Sequence, residues 1–405
     1  MKKNIIILMI LFLPFALTAQ WVQVPNGMGN LFVHEITSNT NTIFAGTLTS
    51  GIYRSTNYGA NWIQTSINNQ SVPALTANGS TIFAGIAGGD FYRSTDNGLS
   101  WNSIHLFSQT VHTIAVSGNI VLVGTYSTGI YRSTDNGLTW NQSTVNNKNV
   151  YILKIDGNYV YAGTESFGVY RSTDLGVSWS QTALNDQFVQ SLTVNGNHVF
   201  AGTTDPSFGL YKSSDYGVSW SQPVLSTRQI FALASNGSSI FAGTYQYGVY
   251  VSSDNGITWA QKLEGLPASA WICTLTILNN YLFAGTYTPG NGVWRRPLGE
   301  LLGLNCISGV VPLSSKLYQN YPNPFNPMTN IKFDVPEIPE QSGSMNVVLK
   351  IYDVLGKEIT TLVNEQMNPG TYEVNFDGTN YPSGIYYCRM SFGESATVNK
   401  MILLK

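Results

Sequence analysis

Five aspartates of this chain recur in one short pattern, Ser-x-Asp-x-Gly-x-x-Trp. Carboxylates at fixed positions can act as acid, base or nucleophile in glycoside hydrolysis, which needs two of them close together. The aspartates are Asp96, Asp135, Asp174, Asp215 and Asp254, and the first copy of the pattern has Asn57 in their place. An amide cannot exchange protons as a carboxyl group does. A catalytic carboxylate also has no reason to recur five times, so the pattern predicts a structural turn, which we name the repeat turn.

Each part of the repeat turn has a physical role in a tight hairpin. A short Asp or Asn side chain accepts backbone N–H bonds across the turn. The glycine two residues later adopts positive φ without steric cost. The tryptophan buries a large surface, which we expect to lie between neighbouring units of the fold. The tryptophans are Trp62, Trp101, Trp140, Trp179, Trp220 and Trp259.

Other residues that could do chemistry are scattered along the chain. Asp90, Asp186 and Asp205 leave a secreted glycoside hydrolase open as an alternative. The four histidines are isolated from one another, and no Cys/His spacing suits a metal ion. The sequence contains no glycine-rich phosphate loop and no Gly-x-Ser-x-Gly nucleophile turn. It therefore predicts no metal and no cofactor.

A second recurring phrase sets the frame of the repeats. It reads "IFAG", "VYAG" or similar, and its glycines are Gly46, Gly85, Gly124, Gly163, Gly202, Gly243 and Gly285, spaced by 39 to 42 residues. Each unit contains four short runs of apolar or alternating residues, separated by Asn-Gly and similar turns, as β-strands are. Four strands repeated about every 40 residues predict an all-β fold, with a seven-bladed β-propeller over residues 21–299.

The seventh unit has no repeat turn of its own, and its missing strand stands at the other end of the chain. The segment "WVQV" (residues 21–24) begins 41 residues before Trp62, which is the spacing of one repeat. We therefore expect residues 21–24 to form the fourth strand of the seventh blade. This pairing joins the two ends of the propeller and leaves no free strand edge between its last and first blades.

The repeat turn and its spacing resemble the Asp-box, or BNR, repeat of the sialidase-like superfamily of propellers. Sialidases gather three arginines at the propeller axis, whereas Arg54, Arg93, Arg132 and Arg171 occupy equivalent positions of successive units and cannot converge. The Arg-Ile-Pro segment that marks the start of sialidases is absent, and no Tyr–Glu nucleophile pair is evident. The resemblance thus implies the fold without the sialidase catalytic set. We expect a protein that is not an enzyme, with a glycosidase as the open alternative.

The loops opposite the repeat turns vary from unit to unit, and binding residues commonly lie in variable loops on a constant scaffold. These loops carry the candidate ligand-binding residues Tyr126, Phe167, Phe208, Tyr245, Tyr247, Trp271 and Tyr287. Exposed aromatic side chains suit stacking on sugars or contact with a protein surface. The sequence predicts a binding protein for a glycan or protein ligand. A structural surface protein without a small ligand stays open as a third alternative.

The two ends of the chain indicate export. Two lysines and an apolar run predict a signal peptide over residues 1–20, and no transmembrane segment is expected in the mature chain. Glycine turns between alternating strands predict a small Ig-like β-sandwich at residues 316–405, after a linker at residues 300–315.

The C-terminal ninety residues also carry a family resemblance. The segments "YPNPFNP", "IYDVLGKEI", "YPSGIYYCRM" and "KMILLK" closely resemble the type A C-terminal sorting domain of the type IX secretion system. The resemblance implies a Gram-negative bacterium that exports the protein through the periplasm. It also implies that residues 316–405 interact with the secretion machinery, and that the mature protein is released or held on the outer cell surface.

Charge and cysteine content narrow the range of partners. The net charge is −2 and no basic stripe is present, so we expect no nucleic-acid partner. We expect a monomer. Cys273, Cys306 and Cys388 are an odd number, so at most one disulfide forms, and a Cys273–Cys306 pair stays open.

Overall fold

The computed structural model describes residues 20–105, 109–205, 207–221, 224–287, 292–308, 311–337, 345–367, 369–379, 381–393 and 395–405. The predicted signal peptide, apart from its last residue, lies outside these ranges. Within them the fold is all-β, with one short helix, α1 (Leu298–Leu301). The strands form a propeller followed by a β-sandwich, as the sequence predicts.

Seven antiparallel sheets form the blades of the propeller, and a short strand, β1 (Val22–Gln23), precedes them. Blade 1 contains β2 (Val33–Ser38), β3 (Ile43–Thr47), β4 (Ile52–Ser55) and β5 (Ile63–Gln64). Blade 2 contains β6 (Ala74–Asn78), β7 (Thr81–Gly85), β8 (Asp90–Ser94) and β9 (Asn102–His105). Blade 3 contains β10 (Val111–Ser117), β11 (Ile120–Thr125), β12 (Gly129–Ser133) and β13 (Asn141–Asn146).

The remaining blades follow the same order. Blade 4 contains β14 (Val150–Asp156), β15 (Tyr159–Thr164), β16 (Val169–Ser172) and β17 (Ser180–Gln181). Blade 5 contains β18 (Val189–Asn195), β19 (His198–Thr203) and β20 (Leu210–Ser213), and an antiparallel bridge joins Leu210 to Val224. Blade 6 contains β21 (Ile230–Asn236), β22 (Ser239–Thr244), β23 (Val249–Ser252) and β24 (Ala260–Lys262). Blade 7 contains β25 (Ile272–Leu278), β26 (Tyr281–Thr286) and β27 (Gly292–Pro297).

The second strand of each blade is covered on both faces, which explains why the recurring phrase is a continuous apolar run. In β3, residues 43–45 have no exposed surface. The glycine of the phrase lies against a β-branched side chain of the next blade, where a Cβ would not fit. A Cβ on Gly124 would lie 2.7 Å from Cγ1 of Val150, and a Cβ on Gly285 would lie 2.8 Å from Cγ1 of Val33. These contacts pack blade 3 on blade 4 and blade 7 on blade 1.

The innermost strands of the blades form a closed ring around the propeller axis. In ring order β2, β6, β10, β14, β18, β21 and β25 each contact the next, and β25 also contacts β2. Hydroxyl groups add hydrogen bonds between blades. Thr113 Oγ1 accepts from the backbone N–H of Leu153 (3.1 Å), and Thr274 Oγ1 accepts from that of Ile36 (3.2 Å). The propeller therefore has seven blades, as predicted.

The N-terminal segment closes the ring, which confirms the prediction for residues 21–24. Strand β1 pairs with β27, so that Val22 lies opposite Arg295. Trp21 is 2% exposed, and its indole Nε1–H donates to the carbonyl of Lys262 (3.2 Å). Its backbone N–H donates to the carbonyl of Glu264 (2.7 Å). The first described residues are thereby bonded to both blade 6 and blade 7.

The C-terminal part is a sandwich of two four-stranded sheets. One sheet has the order β28 (Leu304–Ser308), β33 (Gly370–Asp377), β30 (Met328–Val335), β29 (Lys316–Leu317). The other has the order β32 (Glu358–Met367), β31 (Met345–Tyr352), β34 (Gly384–Phe392), β35 (Ser395–Leu403). Phe333, Val347 and Met401 are fully buried between them. Alternation of buried and exposed residues along these strands produces the core.

Residues 300–315 are not the simple linker that the sequence predicts. They contain strand β28, whose Leu304 is buried and pairs with Val374 of β33. The first strand of the sandwich therefore begins directly after α1. The segment "LNCIS" is only five residues long and stands between two glycines, so its alternation gives a weak strand signal.

The cysteines do not form the disulfide that the sequence left open. Cys273 and Cys388 are free thiols, and the side chain of Cys306 lies outside the described residues. Burial raises the pKa of the Cys388 thiol to about 12, which keeps it protonated and unreactive. Cys273 and Cys388 therefore contribute to the fold by packing and not by cross-linking.

Replacement of Trp21 tests the closure of the ring. Trp21→Ala removes a buried indole and its hydrogen bond to Lys262, so we expect the free energy of unfolding to fall by about 3–5 kcal/mol. Urea denaturation of the chain from Gln20 to Lys405, followed by circular dichroism, measures this loss. Val22→Ala is the matched control, because Val22 is 50% exposed on the same segment, and its effect is expected to stay below about 0.5 kcal/mol. Equal effects would contradict closure through Trp21.

Candidate functional site

The repeat turns use their aspartates to hold the backbone. In blade 4, Asp174 Oδ1 accepts from the backbone N–H groups of Val177 (3.1 Å) and Ser178 (2.9 Å) and from the hydroxyl of Ser172 (2.7 Å). Its Oδ2 accepts from the hydroxyl of Ser178 (2.5 Å). The side-chain bond from Ser178 is the largest of the effects that lower the pKa of Asp174 to about 2. The same bonds recur at Asp96, Asp135, Asp215 and Asp254.

The backbone of the turn requires two consecutive residues with positive φ, where the sequence predicted one. Leu175 and Gly176 have φ values of 55° and 82°. Hydrogen bonds that the aspartate accepts across the turn keep the non-glycine residue in this strained region. In the first copy, Asn57 Oδ1 still accepts from the hydroxyl of Ser55 (3.0 Å) and the backbone N–H of Asn61 (2.8 Å). An amide oxygen therefore supports the same turn.

The tryptophan that ends the repeat turn lies between blades. Trp140 of blade 3 packs edge-on against Phe91 of blade 2, with ring centroids 5.2 Å apart. Trp62 is buried beside the N-terminal segment, and its Nε1–H donates to the carbonyl of Val24 (2.9 Å). The repeat turns and their tryptophans do not belong to the described residues that line the axial cavity of the propeller.

The axial cavity has a volume of about 570 Å³ and is lined by all seven innermost strands. It extends to the loops between second and third strands, from which Ala87 and Tyr287 line it. Backbone hydrogen bonds join these loops to the connections between blades. The N–H of Tyr126 donates to the carbonyl of Thr110 (2.9 Å), and that of Tyr287 donates to the carbonyl of Trp271 (3.1 Å). We call this end of the cavity the mouth.

A β-bulge near the start of six of the seven innermost strands turns one residue toward the axis. In β10 the register shifts between Val111 and Thr113, so His112 has no partner in the ladder. The same shift occurs in β2, β14, β18, β21 and β25. The residues at this position are His34, His112, Tyr151, Gln190, Phe231 and Cys273, with Pro73 in blade 2, and all of them line the cavity. A bulge redirects a side chain in this way.

Aromatic rings surround the mouth of the cavity. On one side, His112 stacks on Tyr151 (ring centroids 4.7 Å apart) and contacts Tyr126 (5.9 Å). On the other side, Trp271 packs edge-on against Tyr287 (4.7 Å). We name these rings and their ring neighbours the aromatic collar: Phe32, His34, His112, Tyr126, Tyr151, Phe188, Phe231, Tyr245, Trp271 and Tyr287. Rings that hold one another in place lose little conformational freedom when a ligand binds.

The structure brings together four of the seven aromatic residues that the sequence predicted for a ligand. Tyr126, Tyr245, Trp271 and Tyr287 belong to the collar. Phe167 lies under Lys148, whose Nζ is 3.6 Å from the ring centre, and Tyr247 lies under the guanidinium of Arg228 (4.0 Å). Phe208 contacts a tyrosine of β20, with ring centroids 6.5 Å apart. These last three residues do not line the cavity; of the four in the collar, Trp271 and Tyr287 line it, and Tyr126 and Tyr245 contact rings that do.

The sequence predictions missed the part of the site that lies on strands. The residues missed are His34, Glu35, His112, Tyr151, Lys154 and Phe231, because binding residues were sought in loops. A usable signal exists at the position after the β-branched residue near the start of the first strand. That position reads His, Pro, His, Tyr, Gln, Phe and Cys in the seven units. Because the residue type at this position varies while its neighbour is always β-branched, the fold does not determine it, and it is available for binding.

Two opposite charges line the cavity below the collar. Glu35 of blade 1 and Lys154 of blade 4 lie on opposite sides of the ring. Glu35 Oε1 accepts from the hydroxyl of Thr274 (3.1 Å). Burial raises the pKa of Glu35 to about 7, and the charge of Lys154 opposes this rise. Burial lowers the pKa of Lys154, and the charge of Glu35 opposes this fall. The cavity therefore offers one anionic and one cationic contact in a largely neutral wall.

The cavity suits an organic ligand better than a metal ion. Among the described residues, no group of three His, Cys, Asp or Glu side chains could hold a metal. Burial lowers the pKa of His34 and of His112, so both imidazoles are neutral near pH 7. Burial also raises the pKa of the Cys273 thiol. These groups can stack and exchange hydrogen bonds with a ligand.

Solved propeller structures resemble this fold. YCF48 from Cyanidioschyzon merolae matches with a TM-score of 0.55 and 16% identity, over 70% of this chain and 99% of that chain. A structure described as YCF48 bound to D1 peptide matches with a TM-score of 0.57 and 14% identity, over 69% and 97% of the two chains. The computationally designed Ika8 protein gives 0.53 and 14%, over 65% and 83%. These likenesses show the fold alone. No curated protein matches the chain significantly.

The C-terminal sandwich is a secretion module. Residues 319–404 match the secretion system C-terminal sorting domain family. This domain marks proteins that the type IX secretion system delivers to the cell surface or beyond, and it implies interaction with that machinery. The chain is therefore an exported β-propeller with a sorting domain. No helix among the described residues is both long and apolar enough to cross a membrane.

Replacement of Asp174 tests the role of the repeat turn. Its folded-state pKa of about 2 lies below the ordinary value of 3.8, so its stabilising effect is complete above pH 4 and is lost as the pH falls toward 2. We expect Asp174→Ala to lower the Tm at pH 7, and Asp174→Asn to lower it less, because Asn57 supports the same turn. Scanning calorimetry at pH 7 and pH 2.5 measures the Tm of both variants, and we expect their difference in Tm from wild type to be smaller at pH 2.5. An alanine variant as stable as wild type at pH 7 would contradict this role.

Glu35 is expected to titrate far above an ordinary glutamate. Carbon NMR of the protein labelled with ¹³C-glutamate, with Glu35→Gln to identify the signal, is expected to give a pKa of about 7 for Glu35. Because folding raises this pKa from 4.5, the stability of wild type falls relative to Glu35→Gln as the pH rises from 4.5 to 7. Lys154→Thr raises the pKa further by removing the nearby positive charge. Lys212→Thr, outside the cavity, leaves it unchanged. A value near 4.5 would show that Glu35 is not buried.

Proposed function

We propose that this exported propeller is a binding protein that receives a peptide segment through the aromatic collar into the axial cavity. The collar carries the proposal. Six of its ten rings, from five blades, line the cavity, although these blades are far apart in sequence; they are His34, His112, Tyr151, Phe231, Trp271 and Tyr287. Aromatic residues that converge on a concave site are typical of binding hot spots.

The dimensions of the cavity favour an extended segment. Its volume of about 570 Å³ lies within the range of small-ligand sites. Apart from the stacked pair His112 and Tyr151, the collar rings pack edge-on or tilted against one another, so they do not form the flat platform that suits sugar rings. Polar side chains in the wall, such as those of Thr37, Gln190 and Ser191, match a peptide backbone, whose N–H and C=O groups need partners. The structure described as YCF48 bound to D1 peptide is of a similar propeller, which supports a peptide ligand.

The proposal does not include catalysis. Glycoside hydrolysis by the usual route needs two carboxyl groups on either side of one bond. Glu35 is the one carboxyl group among the described residues that line the cavity. Asp90, Asp186 and Asp205 are not part of that lining. We also infer that the repeat turn is the Asp-box of BNR propellers, because its aspartate is used up by hydrogen bonds within the turn.

Parallel binding assays on the chain from Gln20 to Lys405 test the function. A random peptide library displayed with free carboxyl ends and a glycan array are probed together, and released sugar is measured. We expect retention of peptides without release of sugar. Trp271→Ala removes a central ring of the collar, so the Kd of a retained peptide rises by about thirtyfold, equivalent to about 2 kcal/mol.

Tyr247→Ala is the matched control, because Tyr247 is also an aromatic residue of these loops but lies under Arg228 and outside the collar. Its effect on the Kd is expected to stay below about threefold, equivalent to about 0.6 kcal/mol. Retention on glycans alone would overturn the peptide assignment. Sugar release would establish an enzyme. A protein that retains neither class of ligand is better explained as a structural surface protein.

A further inference from the structure

Lys154 is a charged group of the cavity that has no direct partner among the described residues. It lies on β14 three residues beyond Tyr151 of the collar, which places it about 10 Å farther along the strand from the mouth at about 3.3 Å per residue. Its pKa is shifted only by burial and by the charge of Glu35. No hydrogen bond or ion pair to its Nζ forms within the described part of the chain. An ammonium group has three N–H donors, so it presents unused donors to the cavity.

Glu35 is better satisfied than Lys154. Its carboxylate accepts a hydrogen bond from the Thr274 hydroxyl (3.1 Å). The described wall of the cavity therefore already supplies a donor to the anion and offers no acceptor within hydrogen-bond distance of the cation. A ligand that completes the site must bring an acceptor, and a carboxylate is the strongest common acceptor for an ammonium group.

Uncharged residues occupy the positions of Glu35 and Lys154 in the other blades, so the fold does not require a charge at either position. Glu35 pairs with the recurring glycine of its own blade, and the residues that do so in the other blades are Ala74, Thr113, Ile152, Ser191, Ala232 and Thr274. The residues equivalent to Lys154 are Thr37, Thr76, Ala115, Thr193, Ala234 and Thr276. Buried opposite charges are weak evidence of stabilisation. The lysine is therefore better explained by a ligand.

We propose that Lys154 binds the terminal carboxylate of a peptide whose last residues enter the cavity through the collar. This inference rests on the proposed function and adds the chemical class of the bound end. Three extended residues span about 10 Å, which is the distance from the collar position to Lys154. The side chain of an internal Asp or Glu is shorter than that distance. A chain end can descend to Lys154, whereas an internal segment would have to pass the mouth twice.

Binding is expected to favour uptake of a proton by Glu35. A ligand carboxylate at Lys154 adds a negative charge to the cavity that Glu35 also lines and replaces Glu35 as counter-ion, so the protonated form of Glu35, with its proton from solvent, is favoured. The other titratable groups that line the cavity are His34, His112, Tyr151, Cys273 and Tyr287. Burial shifts the pKa of the first four away from neutrality. The affinity is therefore expected to increase several-fold as the pH falls from 8 to 6.

The experiment compares probes that differ in one group, on the chain from Gln20 to Lys405. The probes are N-acetyl-L-phenylalanine, its C-terminal amide and D-glucuronate, and ligand-observed NMR titrations give the Kd values. We expect the free acid to bind at least about tenfold more tightly than the amide, because a charge-assisted hydrogen bond is lost in the amide. Only the acid is expected to show the pH dependence.

Two variants assign the preference to Lys154. Lys154→Thr abolishes the difference between acid and amide, and the threonines at equivalent positions of four other blades show that the fold accepts this residue. Lys212→Thr on β20 keeps the difference. Equal affinities of acid and amide in wild type would overturn the inference and leave the collar proposal standing. Tighter binding of D-glucuronate than of N-acetyl-L-phenylalanine would overturn the assignment of the ligand to a peptide end. Binding of none of the probes would contradict the inference, and the peptide library then tests the proposed function separately.

Discussion

One contact is repeated around the whole propeller, and the ring depends on it. The glycine of each second strand lies against a β-branched side chain at the start of the next blade. The pairs are Gly46–Val72, Gly85–Val111, Gly124–Val150, Gly163–Val189, Gly202–Ile230, Gly243–Ile272 and Gly285–Val33. A Cβ at any of these glycines would lie within 3 Å of the partner. The seventh pair joins the last blade to the first, so the contact that sets the distance between blades also closes the ring.

This contact also positions the candidate site. In six of the seven blades the β-branched residue is followed at once by the bulged residue that lines the cavity. The branched side chain is fixed by the glycine of the preceding blade, so the direction of its neighbour is fixed as well. Val111 and His112 show the relation: Val111 is fully buried, and His112 contributes to the collar. The scaffold thus holds the rings in place before any ligand arrives, which lowers the entropic cost of binding.

The fold was predictable because its residues recur in every blade, and the site was hard to predict because its residues differ between blades. Seven copies of one phrase indicate the blades, and the orphan Trp21 at one repeat spacing from Trp62 indicates how the ring closes. Loop positions could be compared across the copies, so Tyr126 and Trp271 were among the predicted binding residues. His112 and Lys154 were not, because an alternating strand pattern does not show which residue a bulge turns inward. Strand β28 was missed because five residues give little periodicity.

The repeats separate the residues that the fold needs from the residues that the site uses. Glycines, β-branched residues and aspartates of the repeat turn recur at fixed positions, and they make contacts between or within blades. The two charged groups of the cavity appear in single blades, at positions where other blades have Thr, Ala, Ser or Ile, and the residue at the bulged position differs between blades. In blade 2 the collar position is occupied by Pro73, which has no aromatic ring, and the innermost strand of this blade still contacts both neighbouring blades. Because the two sets of residues scarcely overlap, the cavity can change its ligand chemistry without loss of the fold.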